Sequence, residues 1–106
     1  MEFVTGTQWR VASGYLFQFT RQGNLEVRNP AGQLVWESRT RDAGASRLRL
    51  ESSGDLAICA AGDAAPVWST GTAGNQGAFL AFQMDGNLVL YSSDRSPLWA
   101  TDTNGK

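Results

Sequence analysis

The sequence predicts an all-β domain built from three copies of one unit. Gly-Asn/Asp-Leu segments begin at residues 23, 54 and 86, and tryptophans follow at residues 36, 68 and 99. Both series recur with a period of 31 or 32 residues, which is typical of a repeat architecture. No window of helical length carries an apolar stripe with a 3.6-residue period, and 12 glycines and 3 prolines interrupt the chain throughout. We therefore expect three small sheets of short strands packed around a shared axis.

Turn chemistry divides each copy into strands. The turn segments are Asn-Pro-Ala-Gly at residues 29–32, Ala-Gly-Asp at 61–63 and Ser-Ser-Asp-Arg-Ser-Pro at 92–97. With 106 residues and 42% apolar residues, the chain is expected to form a single domain spanning residues 1–106. The copies are expected to cover about residues 9–40, 41–72 and 73–104.

The periodic tryptophans are predicted to be core residues. Trp36, Trp68 and Trp99 each follow Val or Leu in a similar setting, and repeats bury a common residue more often than they use it as a sugar platform. Trp9 falls outside the period, and its role stays open at this point.

The segment from residue 83 to residue 91 alternates in a way that suggests binding. Successive side chains of an extended strand point to opposite faces, so we predict one exposed face and one core face here. The exposed row is Gln83, Asp85, Asn87, Val89 and Tyr91. The core row is Phe82, Met84, Leu88 and Leu90. A row of amides, a carboxylate and a phenol suits a polyhydroxylated ligand.

This row resembles the Gln-x-Asp-x-Asn-x-Val-x-Tyr signature of the bulb-type (monocot-type) mannose-binding lectins, with all five specified residues present. The ending Leu-Trp-Ala-Thr-Asp-Thr-Asn-Gly at residues 98–105 is similar to the Trp-Ala-Thr-x-Thr ending of that family. The resemblance implies a β-prism II fold of three four-stranded antiparallel sheets with pseudo-threefold symmetry. A lone Cys59 excludes the intrachain disulfide of plant members, so we expect a non-plant member. Eight Arg against a single Lys, with abundant Ala, suggest a bacterial source.

The resemblance also implies a role for each signature residue. The equivalents of Asp85 and Asn87 hold the axial 2-hydroxyl of mannose, that of Gln83 the 3-hydroxyl and that of Tyr91 the 4-hydroxyl, while Val89 touches the ring carbons. The implied activity is binding of terminal or α-linked mannose without catalysis or a cofactor. Because Asn87 should lie on the open face, we expect its loss to weaken binding and to leave stability nearly unchanged.

The other two copies have lost most of the signature. The five positions read Thr20, Gln22, Asn24, Glu26 and Arg28 in the first copy, and Glu51, Ser53, Asp55, Ala57 and Cys59 in the second. Only Asn24 matches, so one intact site per chain is predicted, in the third copy. The same loss leaves open an alternative, a lectin-like protein-interaction or bacteriocin-type domain with little sugar affinity.

Composition argues against other classes of function. A net charge of −1 lacks the positive excess that is typical of nucleic-acid-binding domains. The absence of histidine together with a single cysteine disfavours a metal site. A glycosidase is disfavoured because Asp85 has no periodic acidic partner on its strand face. The cluster Arg39, Arg41, Arg47 and Arg49 is expected to be a solvated face rather than an anion-binding patch.

The resemblance further implies a homodimer formed by exchange of the C-terminal strand, residues 98–103. Such pairing would multiply weak single sites. No run of 18 apolar residues exists, so no membrane span is expected. A secreted or cell-surface location is expected, and a cytoplasmic one stays open because no signal peptide is visible.

Overall fold

A computed structural model describes residues 2–60 and 66–106, and these residues form eleven short strands without any helix. The strands are β1 (Glu2–Val4), β2 (Thr7–Arg10), β3 (Leu16–Phe19), β4 (Leu25–Arg28), β5 (Leu34–Glu37), β6 (Ala45–Leu50), β7 (Leu56–Ala60), β8 (Pro66–Ser69), β9 (Phe79–Phe82), β10 (Leu88–Tyr91) and β11 (Pro97–Ala100). The predicted second-copy turn at residues 61–63 lies outside the described residues.

The strands form three antiparallel sheets, one for each copy. Their strand orders are β2-β3-β4-β5, β1-β6-β7-β8 and β11-β10-β9. The N-terminal strands β2 and β1 supply the fourth strands of the first and second sheets, whereas no strand of the described chain pairs with the outer edge of β9. The predicted all-β, three-sheet architecture is confirmed, and the third sheet has three described strands where four were expected.

The core lies between the three sheets and is lined by alternate residues of their strands. Its fully buried members are Phe17, Phe19, Leu25, Val27, Leu48, Leu56, Ile58, Leu88 and Leu90. Each sheet contributes to this list, because no copy is large enough to bury its apolar face alone. The domain is flat, with principal extents of 37 × 35 × 17 Å.

The periodic tryptophans meet one another between the sheets. Ring centroids lie 6.0 Å apart for Trp36 and Trp68 and 5.5 Å apart for each pair that includes Trp99, all in edge-to-face geometry. Each ring is partly buried and packs against the core. The prediction that these residues serve packing is therefore confirmed, and edge-to-face contact is a favourable arrangement for aromatic pairs.

Trp9 connects the three sheets through a second set of aromatic contacts. Its ring stacks on Phe82 of β9 at 4.6 Å and meets Phe3 of β1 edge-on at 4.7 Å. Trp9 itself belongs to β2, so these contacts link strands of all three sheets. The role that the sequence left open is thus that of a packing residue.

Candidate functional site

The signature residues lie on the β9–β10 hairpin rather than along one extended strand. Residues 83–87 form the turn, in which Gln83 N donates to Asn87 O and Gly86 N donates to Gln83 O, both at 3.0 Å. Gly86 has φ = 93°, and a Cβ atom there would collide with the ring of Tyr15, so only glycine fits. The predicted single strand was wrong because the Asp-Gly turn signal overrides alternation. For the same reason Met84, predicted to be in the core, is 56% exposed.

The hairpin nevertheless brings three of the predicted site residues together on the outer face of the third sheet. Val89 and Tyr91 alternate along β10 with the core residues of that strand, and the turn places Gln83 on the same side. Gln83 Nε2 donates to Tyr91 Oη at 2.6 Å. Val89 lies between these two residues in the hairpin and is only 3% exposed.

Asp85 is held at the turn and points a carboxylate at solvent. Its Oδ1 accepts the Asn87 backbone N–H at 2.9 Å, and its backbone oxygen accepts the Gly105 N–H at 2.8 Å. No side chain among the described residues donates to Oδ2. The exposed carboxylate is therefore positioned by the backbone and can still accept a hydrogen bond.

Asn87 is fixed by the C-terminal segment. Its Oδ1 accepts from Thr103 N at 3.2 Å and from Thr101 Oγ1 at 3.3 Å. The two threonine hydroxyls are 2.7 Å apart, and that of Thr103 also donates to Gly86 O. Among the described residues Nδ2 has no partner, so the amide offers a donor only. These contacts with two buried threonines argue against the expectation that the loss of Asn87 would leave stability nearly unchanged.

Sequence reasoning missed Thr101 and Thr103, although the repeat contains a signal for them. In this pattern, the residues of a Ser/Thr-x-Thr segment donate hydrogen bonds to the Asn or Asp of their own copy. We call it the threonine clamp. In the other copies the clamp is formed by Ser38 and Thr40 on Asn24, and by Thr70 and Thr72 on Asp55. Aligning the copies beyond their tryptophans would have revealed it.

In the first copy, charged side chains of the protein occupy the space of the site. The Asn24 amide donates to Glu26 at 2.9 Å and to Glu37 at 3.0 Å. Glu26, in the place of Val89, is 1% exposed and forms an ion pair with Arg28 at 3.1 Å. Burial alone would raise the pKa of Glu26, but hydrogen bonds from Asn24, Gln18 and Arg28 together hold that pKa below its ordinary value.

In the second copy the binding groups are absent. Asp55 forms the clamp through Oδ1, at 3.2 Å to both Thr70 Oγ1 and Thr72 N, but a carboxylate offers no amide donor. Ala57 and Cys59 replace the valine and the tyrosine of the third copy, and both are buried.

Two of the four clustered arginines lie on the outer face of the second sheet beside these residues. Arg47 and Arg49 share the carboxylate of Glu2, each at 3.2 Å, with all three side chains well exposed. Arg41 instead lies 3.6 Å from Glu26 of the first copy. The two pairs with Glu2 fit the solvated face that the sequence predicted, whereas Arg41 faces a buried carboxylate.

Metal and membrane features can be stated only for the part of the chain that the structure describes. Within residues 2–60 and 66–106, no group of three or more His, Cys, Asp or Glu side chains could hold a metal ion. In the same residues no helix has the length and apolar character needed to cross a membrane.

No family model and no curated protein matches the sequence, but solved structures do. A monomeric monocot mannose-binding lectin from Gastrodia elata has 27% identity and a TM-score of 0.85, covering 98% of this chain and 93% of that one. Polygonatum cyrtonema lectin, complexed with monomannoside, has 28% identity and a TM-score of 0.77, covering 100% and 94%. A domain-swapped lectin dimer from Mycobacterium smegmatis has 27% identity and a TM-score of 0.53, covering 96% and 93%. The β-prism II fold and the resemblance seen in the sequence are confirmed.

Proposed function

We propose that this chain, which has the structure of a bulb-type mannose-binding lectin, is a carbohydrate-binding protein that recognises terminal or α-linked mannose through one site in its third copy. The observation that carries the proposal is the hydrogen bonding of the clamped side chain, which is Asn24, Asp55 or Asn87 in the three copies. Among the described residues, only the third copy has a clamped residue whose amide donor is free, and it lies beside an exposed carboxylate on a face that also presents Gln83 and Tyr91. The protein is proposed to bind sugar without chemistry.

The two polar groups at the turn complement one hydroxyl. Asp85 can only accept a hydrogen bond, and Asn87 can only donate one, because its oxygen is held by the clamp. A hydroxyl between them would donate to the carboxylate and accept from the amide. An epimer with that hydroxyl displaced would leave one or both groups partly unpaired, which disfavours it by the cost of a lost hydrogen bond.

Binding at this site is expected to be weak. Gln83 and Tyr91 are already bonded to each other at 2.6 Å and flank a buried Val89. A sugar that bonds to Gln83 and Tyr91 and touches Val89 must first separate the two polar side chains. Its new hydrogen bonds therefore partly replace the bond between Gln83 and Tyr91. The net gain is small, and useful affinity then requires several sites on one assembly.

Exchange of the C-terminal segment would provide such an assembly, and we include a strand-exchanged homodimer in the proposal. In the isolated chain, β11 pairs with β10, and the clamp on Asn87 comes from the same chain. After exchange the partner would supply that clamp, so each site would be built from two chains. Sedimentation at increasing protein concentration tests this, and a strictly monomeric protein contradicts it.

A nitrogen-15 NMR titration tests the sugar proposal. We expect saturating mannose to shift the backbone amide resonances of residues 83–91, with glucose and galactose producing smaller shifts at equal concentration. The amides around Asn24 and Asp55 are internal controls, because their clamps are the same but their sites are filled or incomplete. If no resonance in residues 83–91 moves, the lectin proposal fails and the interaction-domain alternative replaces it. Equal shifts around Asn24 would refute the single site.

A further inference from the structure

The third sheet has an open edge on the side where the other two sheets carry a fourth strand. Strand β2 pairs with β3 and β1 pairs with β6, whereas no strand of the described chain pairs with the outer side of β9. Residues 71–84, which include β9, contain no charged residue and no proline. Natural sheet edges are usually protected by such residues or by a covering segment. The edge of β9 therefore has the composition of a strand that is paired on both sides.

Inward-facing side chains of β9 are left partly exposed at this edge. Leu80 and Phe82 pack against the core but are only partly buried. Their equivalents in the first sheet, Phe17 and Phe19, are 0% exposed beneath β2. Trp9 stacks on the Phe82 ring, but its backbone pairs with β3 and contributes nothing to the β9 edge. A further strand would complete the burial of both side chains.

Backbone groups at the same two residues point to the open edge. In an antiparallel ladder, successive residues direct their N–H and C=O groups to opposite sides of the strand. Gln83 N donates to Asn87 O at the start of the hairpin, so the groups of Leu80 and Phe82 point away from β10. In the first sheet, the oxygen equivalent to that of Phe82 accepts the Gly6 N–H at 2.7 Å. The β9 edge thus offers two donors and two acceptors to an extended segment.

The depth of this opening fits one strand and excludes a second copy of the same edge. We call the open edge along Leu80 and Phe82 the β9 slot. Strands β1 and β2 extend their sheets by one strand spacing, about 4.8 Å, beyond the level of β9. Two copies that approached through this end would meet first on those strands, and their β9 edges would stay about two spacings apart. A single extended segment fills the slot instead.

We infer that the β9 slot binds an extended, uncharged segment of another polypeptide, which becomes the fourth strand of the third sheet. Inward side chains of that segment would pack on Leu80 and Phe82, and outward ones would lie beside Phe79 and Ala81. A charged segment is disfavoured, because its charge would lose water beside residues that carry no opposite charge. The inference does not depend on the proposed mannose site.

Amide hydrogen exchange of the unmodified chain tests the slot. In the free protein, the amides of Leu80 and Phe82 should exchange at least roughly tenfold faster than those of Phe17 and Phe19, which pair with β2. The probe is the blocked peptide acetyl-Thr-Val-Thr-Val-Thr-Val-amide, whose residues favour strands. At about 1 mM it should slow exchange at both residues at least twofold, which corresponds to a Kd of about 1 mM or lower. The same peptide with every backbone nitrogen methylated is the matched control, because it lacks the donors for pairing.

Two lysine substitutions test the location of the bound peptide. Leu80→Lys places an inward-facing charge on the edge, a device that prevents strand pairing, and should abolish the slowing at Phe82. Gln8→Lys adds the same charge to β2 of the first sheet and should leave the slowing unchanged. Thermal melts check that both variants fold. If Leu80→Lys does not fold, the exchange of the parent chain with the two peptides decides.

Three outcomes would overturn the inference. If Leu80 and Phe82 are as protected as Phe17 and Phe19 in the free monomer, the edge is closed. If the peptide and its methylated control slow exchange equally, or neither does, no strand is added to β9. If protection rises with protein concentration alone while the sedimenting mass doubles, a second copy occupies the slot and the proposed partner is wrong.

Discussion

Two substitutions at Asn87 should separate folding from sugar binding, because the two ends of its amide have different partners. Asn87→Ala removes the acceptor of Thr103 N at 3.2 Å and of Thr101 Oγ1 at 3.3 Å. Thr103 is 1% exposed, so its N–H finds no water in compensation. A buried donor left unpaired costs about 1–3 kcal/mol, and we expect the free energy of unfolding to fall by about 2 kcal/mol. Mannose binding should also be lost.

Asn87→Asp should keep the fold and lose the sugar. Asp55 of the second copy shows that a carboxylate forms the same clamp, at 3.2 Å to both of its donors. We therefore expect the free energy of unfolding to stay within about 1 kcal/mol of the parent value, with the repulsion from Asp85 as the main cost. The free amide donor becomes an acceptor beside another carboxylate, so mannose affinity should fall at least roughly tenfold.

Urea unfolding followed by tryptophan fluorescence, together with calorimetric mannose titration, measures both effects. Asp55→Asn is the matched control, because it makes the reverse exchange in a clamp that has no binding residues around it. It should change neither stability nor mannose stoichiometry. An Asn87→Asp protein that binds mannose like the parent would refute the role of the amide donor. An Asn87→Ala protein that unfolds at the parental urea concentration would refute the clamp.

Three further substitutions test the frame around the site. Trp99→Ala should lower the free energy of unfolding by about 3 kcal/mol, since the Trp99 ring packs on the rings of Trp36 and Trp68 and on the core. A variant that melts like the parent but has lost mannose binding would show that Trp99 is a sugar platform instead. Arg39→Gly should raise stability by about 0.5–1 kcal/mol in urea unfolding, because Arg39 has φ = 60° where the second copy has Gly71; unchanged stability would contradict this. Glu26 has a folded-state pKa below its ordinary 4.5, so its stabilisation is present above that pH and lost as pH falls through the folded value. Glu26→Gln should remove this part of the acid decline, and an identical pH profile would refute it.

The fold could be predicted from the sequence because its strongest signals are periodic. The tryptophans and the Gly-Asn/Asp-Leu segments mark equivalent positions, and in the structure the three tryptophan rings meet. The three-stranded third sheet could not be predicted this way. Residues 2–10, which supply the fourth strands of the other sheets, lie outside the period, so the repeat contains no information about which sheet they join.

The local geometry of the candidate site could not be predicted from the sequence, and its residues stay a prediction. Alternation over residues 83–91 placed the signature on one strand, whereas the Asp85-Gly86 pair makes a turn that exposes Met84. The partners of the Asn87 oxygen, Thr101 and Thr103, were missed because they lie 14 and 16 positions later in the chain. Strand alternation describes only neighbours along the chain, and this contact depends on how β11 leaves the sheet.

The clamp explains how two copies can lack most of the signature residues without losing their place in the fold. The clamp needs only an acceptor oxygen at the shared position, whereas the proposed binding also needs a free donor on the same side chain. Asn24 gives its donor to Glu26 and Glu37, and Asp55 has none. Building a site in the first copy would therefore require removal of those two carboxylates before any signature residue is introduced. In the second copy, by contrast, Asp55→Asn would supply the donor at once, and the missing glutamine, aspartate, valine and tyrosine would be the remaining obstacle.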